Sequence, residues 1–408
     1  MGVREEMEFY DGRKYKIKYR GGGYKEIPFC IAVCVIAAFF GGFYARWVFV
    51  PDDIGLHMEV AKYMFTDKLG ETPEAVGAMA YPLYHICLNV LHAVLGVDFE
   101  AAAALLLPCC IVLAIYMYRR LILYIINSRK RVDLYFADIV SVCGVIFGVA
   151  RCGWNAWRYY ALQASPNPMH NPTIIFVRPI AIASFLMFCI FIEQYFQKKA
   201  FIKELLYFSI CTALSAAGKP SYATVFLPAM GLVVLIKMLK NKDIKIGLIS
   251  LAAVAPSIVL MIGQLIFIQR NSAVLHEIKV QFGSFSGFSV KEVVGVSLVA
   301  FPVVIILLNK EFFKTNITYQ TALLALLVGW GQFFCLDDGI AGNFSWGYDL
   351  AVSFATIVSL AYSRMTPKGN LLVYKMKKWI AYAVFAYQVY TGLQYILIMY
   401  QNTGSFWF

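Results

Sequence analysis

Apolar runs of about twenty residues recur along the chain, each long enough to cross a hydrocarbon core of about 30 Å as a helix. In lipid, every backbone amide must be satisfied inside the protein, so such runs favour a bundle of spanning helices. Runs at 27–50, 101–118, 134–150, 173–195, 201–218, 222–238, 246–268, 293–308, 318–334, 350–362 and 379–400 predict about eleven spans in one integral membrane domain over 1–408. Composition agrees: 60% of the residues are hydrophobic and 15% charged, against about 45–50% and about 25% in soluble domains. The expected fold class is all-α, a polytopic transmembrane helix bundle.

One more apolar stretch, 81–97, carries His85, Asn89 and His92 on a single helical face. That pattern predicts an amphipathic helix lying at the interface rather than a span. Basic residues support the choice, because cytoplasmic loops are enriched in Lys and Arg. With the N-terminus inside, 26 of the 36 Lys and Arg fall on the inner side and 10 on the outer. If 81–97 spanned, every later loop would change sides and Arg129-Lys130-Arg131 would lie outside. With 11 acidic residues inside and 13 outside, the formal net charge of +12 divides into about +15 and about −3. Orientation thus accounts for the positive charge, and no nucleic-acid partner is expected. The predicted layout is a cytoplasmic basic arm (1–26), a first outer loop with interfacial helices (51–100), a second (151–172) and a late one (335–349).

Chemistry is expected on the outer side. After the first span, Pro51-Asp52-Asp53-Ile54-Gly55-Leu56-His57 sets two carboxylates at the water interface, where one can act as general base toward a hydroxyl; the same acids also suit a helix N-cap. The second loop holds Trp154, Asn155 and Arg158, and ends in His170-Asn171-Pro172-Thr173, a helix start with Arg178 one or two turns below. An outward-facing helix N-terminus with a cation nearby suits an anion, whereas a headgroup-level belt of Trp and Arg is the plainer reading. Lys219-Pro220 repeats the arrangement, with snorkelling as its alternative, and Arg270 can complete a cationic group. His170, Arg178, Lys219 and Arg270 are the candidate phosphate ligands.

The late loop, Asp337-Asp338-Gly339 to Asn343-Phe344-Ser345-Trp346-Gly347-Tyr348, offers acids, an amide and flat aromatic faces suited to a sugar ring, or else a glycine-rich turn. Candidate sugar or acceptor ligands are His57, His85, Trp154, Asn155, Arg158, Asp337, Asp338, Asn343, Trp346 and Tyr348. No metal-binding spacing is present, and no cofactor is expected. Cys152 and Cys335 fall in outer loops and are a candidate disulfide pair.

The acid pair directly after the first helix, an amphipathic outer loop, and Tyr81-Pro82-Leu83-Tyr84-His85 opening an interfacial helix before the second span together resemble the GT-C superfamily of integral-membrane glycosyltransferases. The resemblance implies a polyprenyl-phosphate or dolichyl-phosphate sugar donor, a catalytic acid at Asp52 or Asp53, and transfer, inverting in outcome, to a glycan, lipid or protein acceptor. It implies a multi-pass protein of a bacterial plasma membrane with its active face outside and membrane lipids as neighbours. A transporter or flippase of lipid-linked sugars, or a polymerase of them, is the alternative.

Overall fold

The structure, a computed structural model, describes residues 26–47, 53–66, 79–128, 130–149, 165–271, 278–280, 312–313, 315–337, 344–365 and 371–401. The described chain is nearly all helical: α1 (Ile27–Trp47), α2 (Asp53–Tyr63), α3 (Leu83–Leu95), α4 (Phe99–Ile126), α5 (Arg131–Ile146), α6 (Pro172–Phe196), α7 (Ile202–Gly218), α8 (Ser221–Asn241), α9 (Ile244–Asn271), α10 (Ile317–Cys335), α11 (Ser345–Ser363) and α12 (Leu371–Gln401). Beyond these, Lys279–Val280 pairs antiparallel with Leu336–Asp337.

Six helices, α1, α4, α6, α8, α9 and α10, are long and apolar enough to cross a membrane, as in a multi-pass membrane protein. The other expected spans take different forms. α5 and α7 have 16 and 17 residues, short of the roughly twenty needed for a full crossing. α11 has the length but carries four Ser, two Tyr and Asp349, and every one of its residues is buried by protein. A helix that does not face lipid needs no uniformly apolar surface. The expected span at 293–308 lies outside the described residues.

Local chemistry starts the helices where the sequence suggests. Asp98 caps α4 by accepting from Ala101 N at 2.7 Å, and Asn316 caps α10 through Tyr319 N at 3.2 Å. Asn171 caps α6 with Pro172 at the first turn. Between the helices lies an aromatic core: Phe354 of α11 is 4.7 Å from Phe185 of α6, 4.8 Å from Phe226 of α8 and 5.6 Å from Tyr118 of α4, by ring centroids.

The two ends of the bundle gather residues expected on opposite faces. At one end Arg119 of α4 meets Asp138 of α5 at 2.6 Å and Glu26 at 3.6 Å, and Arg364 after α11 meets Asp133 at 2.5 Å. At the other, the ends of α1, α7 and α10 meet the starts of α2, α4, α6, α8 and α11. The amphipathic stretch 81–97 forms α3 here, with His85 buried and Asn89 Nδ2 donating to Ala61 O of α2 at 2.8 Å, while His92, Ile86, Val90 and Val94 are exposed.

α8 and α11 touch closely at this end. A Cβ on Gly347 would meet Val225 Cγ2 at 2.5 Å and the carbonyl oxygen of Ser221 at 2.9 Å. Gly347→Ala is expected to force the two helix starts apart, at about 1–3 kcal/mol of overpacking. A lowered thermal unfolding midpoint of the purified protein is the check, and an unchanged midpoint would show that the contact gives way freely.

Candidate functional site

At this end, five separate stretches of chain converge on one small volume. Asp53 is the first residue of α2, with its side chain 34% exposed. Its Oδ2 accepts from Asn171 Nδ2 at 2.8 Å and lies 4.0 Å from His170 Nε2. The imidazole of His170 tilts against the indole of Trp346, centroids 5.2 Å apart. Over the indole, at 4.7 Å from its centroid, sits the ammonium of Lys219, which is also 5.9 Å from the ring of Tyr81.

Each side chain is placed by a local feature. Lys219 joins α7 to α8 in extended conformation, and Pro220 starts the next helix. Trp346 lies in the first turn of α11. Residues before Asn171 form a buried tether, in which Asn167 Nδ2 donates to Tyr395 OH of α12 at 3.0 Å and Tyr44 OH of α1 donates to Pro168 O.

Electrostatics follow burial. Lys219 is only 5% exposed, and among the described residues its ammonium has aromatic faces but no ion-pair or hydrogen-bond partner. Desolvation pulls it down from 10.5 to about 8, against the attraction of Asp53 and Asp349. Below about pH 8 it is therefore a cation, and above that it loses the proton. Burial lowers His170 too, with Asp53 pulling the other way and Lys219 adding to the effect. Tyr81 is pushed up to about 12 by burial and then by Asp53, so its hydroxyl stays protonated.

Behind Asp53, His57 of α2 and His85 of α3 face each other with Nδ1 and Nε2 3.0 Å apart. Burial holds His85 at about 4, and burial, His85 and Lys219 keep His57 well below its usual range. Both are neutral at pH 7, so one ring donates to the other, and the pair clamps α2 to α3. At 4% and 0% exposed, both rings are packed inside protein.

Deeper in the bundle, Arg178 Nη2 donates to both oxygens of Asp349, at 3.4 and 3.2 Å, with the two residues 2% and 0% exposed. The guanidinium charge is therefore matched internally, and Asp349 is the partner that sequence reasoning missed. Tyr348, grouped with Trp346 by sequence, turns into the core and stacks on Phe333 at 5.5 Å. Arg270 is exposed in the last turn of α9 and is not brought to the cluster. Asp337 contributes its backbone to the short pairing with Lys279. Asp52, Trp154, Asn155, Arg158, Asp338, Asn343 and Cys152 lie outside the described residues.

Of the expected ligands, Asp53, His170, Lys219 and Trp346 thus share one site, with Asn171 and Tyr81 added. A half-exposed carboxylate beside a buried cation can take a proton from a hydroxyl and hold an anion nearby. Among the described residues no group of three or more His, Cys, Asp or Glu could hold a metal ion. No protein-family model matches the chain, and no curated protein matches it.

Proposed function

We propose that this chain is a membrane glycosyltransferase of GT-C-like type, with about eleven spans, which moves a sugar from a polyprenyl-phosphate donor to an acceptor hydroxyl on the extracytoplasmic face. The observation that carries this reading is that Asp53 and Lys219 share one site at an end of an apolar bundle: a reachable carboxylate, and a buried ammonium that has no ion-pair partner among the described residues. The donor's lipid lies along the spans and its phosphate on Lys219, while Trp346 and His170 line the space between phosphate and Asp53. Arg178, matched by Asp349, supports the floor of the site.

In this mechanism the Asp53 carboxylate takes the proton of the acceptor hydroxyl. The acceptor oxygen bonds to the anomeric carbon as the bond from that carbon to the phosphate oxygen breaks. The electron pair leaves with the polyprenyl phosphate. A phosphodiester with one negative charge thereby becomes a phosphomonoester with two, so attraction to Lys219 grows along the reaction path and favours the transition state over the ground state.

The pH dependence follows from Lys219. Below about pH 8 the ammonium is present, and above it kcat/KM for the donor is expected to fall about tenfold per pH unit. Lys219→Arg, which cannot deprotonate in this range, should remove that alkaline fall. A wild-type profile still flat at pH 10 would exclude Lys219 as the phosphate's partner.

Translocation of a lipid-linked sugar is the second reading, favoured by the buried Arg178–Asp349 pair, since charges inside membrane segments often mark transport paths. Both residues, however, lie within the first two turns of their helices and are paired with each other, with almost no exposure to solvent. Proteoliposomes holding the full chain and a labelled polyprenyl-phosphate sugar separate the two. Transfer predicts label detached from lipid in the presence of an acceptor, whereas label crossing the bilayer still attached to lipid would favour the flippase.

A further inference from the structure

Asp53 begins α2, and its own helix leaves the direction of its carboxylate open. The constraint comes from α6. Asn171 Oδ1 accepts from Thr173 N and Ile174 N, each at 3.1 Å, and from Thr173 Oγ1 at 2.6 Å. With the oxygen of a planar amide held by these bonds, the direction of its nitrogen is set as well, and that nitrogen donates to Asp53 Oδ2 at 2.8 Å. Capping alone does not call for this residue: Ser and Asp cap a helix about as well. Of the side chains that cap well, only Asn has its acceptor and its donors on separate atoms, so it can take three donors on Oδ1 and still donate from Nδ2.

We propose that Asn171 is the positioning residue of the site, holding Oδ2 of Asp53 and leaving Oδ1, which has no partner among the described residues, aimed at the acceptor hydroxyl. This rests on Asp53 as the base. An amide suits the task because it orients the carboxylate without adding a charge. A cation in the same place would pair with Asp53 and weaken it as a proton acceptor. Among the described residues, the charged and titratable neighbours of Asp53 are His170 beside Asn171, Lys219 between α7 and α8, and Tyr81 before α3. None of them belongs to α2, so the alignment of the base depends on the docking of α6 against it.

Two variants keep the cap and change the donor. Asn171→Ser removes the amide, and Asn171→Asp sets a second carboxylate against Oδ2, so that the two groups share a proton. The probe is the infrared carbonyl stretch of protonated Asp53 in the full-length protein in lipid nanodiscs, identified by its absence from Asp53→Asn. In Asn171→Asp its titration is expected to move to higher pH by about one to three units. In Asn171→Ser it moves upward by less, with thermal stability unchanged and kcat for sugar transfer from a polyprenyl phosphate about ten- to a hundredfold lower at constant donor KM. Identical titrations in all three proteins would overturn the proposal and leave Asn171 a helix cap. The spectrum needs no substrate, so it stands apart from the base assignment, which fails on its own if Asp53→Asn still transfers sugar.

Discussion

Asp53→Asn is expected to lower kcat for sugar transfer by about 10²–10⁴-fold, the usual worth of a general base, or about 3–5 kcal/mol of transition-state stabilisation. The substitution is nearly isosteric, so the contact of Asn171 with position 53 keeps its geometry and α2 keeps its start. Donor affinity is expected to hold, since the phosphate is assigned to Lys219. The signature is therefore a collapse in kcat at little-changed KM, measured with a labelled polyprenyl-phosphate sugar across a range of donor concentrations. A parallel loss of binding would mean that Asp53 organises the pocket rather than the proton transfer. Asp52 provides the contrast: with the base assigned to Asp53, the same replacement there should leave kcat within a few fold.

Arg178→Met is expected to have the largest effect on stability. It removes the partner of Asp349, which is 0% exposed, and leaves a carboxylate in an apolar interior at a cost of about 3–5 kcal/mol. Thermal unfolding of the purified protein reads this as a markedly lower midpoint. The companion variant Arg178→Met with Asp349→Leu removes both charges and should recover much of the loss, because an apolar pair of similar volume often replaces a buried ion pair at little cost. A double variant as unstable as the single one would show that Asp349 is held by contacts other than Arg178.

Much of this site can be read from the sequence because local chemistry marks it. An acid at the end of a span, a Lys before a Pro-started helix and an Asn-Pro-Thr helix start place Asp53, Lys219 and Asn171 at one end of the bundle by span alternation alone. What escapes is pairing across long separations. Asp349 lies 171 residues from Arg178, and nothing near either residue announces the other, so Arg178 reads as a free cation until the fold supplies its carboxylate. Trp346 and Tyr348 read as one aromatic patch, yet residues two apart on a helix point to nearly opposite sides. One therefore faces Lys219 while the other enters the core, a split that becomes visible once the helix is started at Ser345. The double use of Asn171 is hidden for a related reason: its capping oxygen answers to its own segment, and its nitrogen to a helix far away in sequence.

The centre of the bundle shows the same limit in the apolar signal. α11 is less apolar than a lipid-facing span because Phe185, Phe226 and Tyr118 surround it with protein. Hydropathy reports what faces lipid, whereas the helix at the centre of the bundle is chosen for close packing and hydrogen bonding, as in the 2.6 Å contact of Tyr118 OH with Ser353 Oγ.

The measurement that bears most directly on the account is the anomeric configuration of the product, read by NMR, when the purified full-length protein is given a polyprenyl-phosphate sugar and an acceptor alcohol. A single carboxylate acting as base, with the phosphate leaving from the opposite face, predicts a glycoside of inverted configuration that is lost in Asp53→Asn. A product of retained configuration, or one formed equally well by Asp53→Asn, would contradict it.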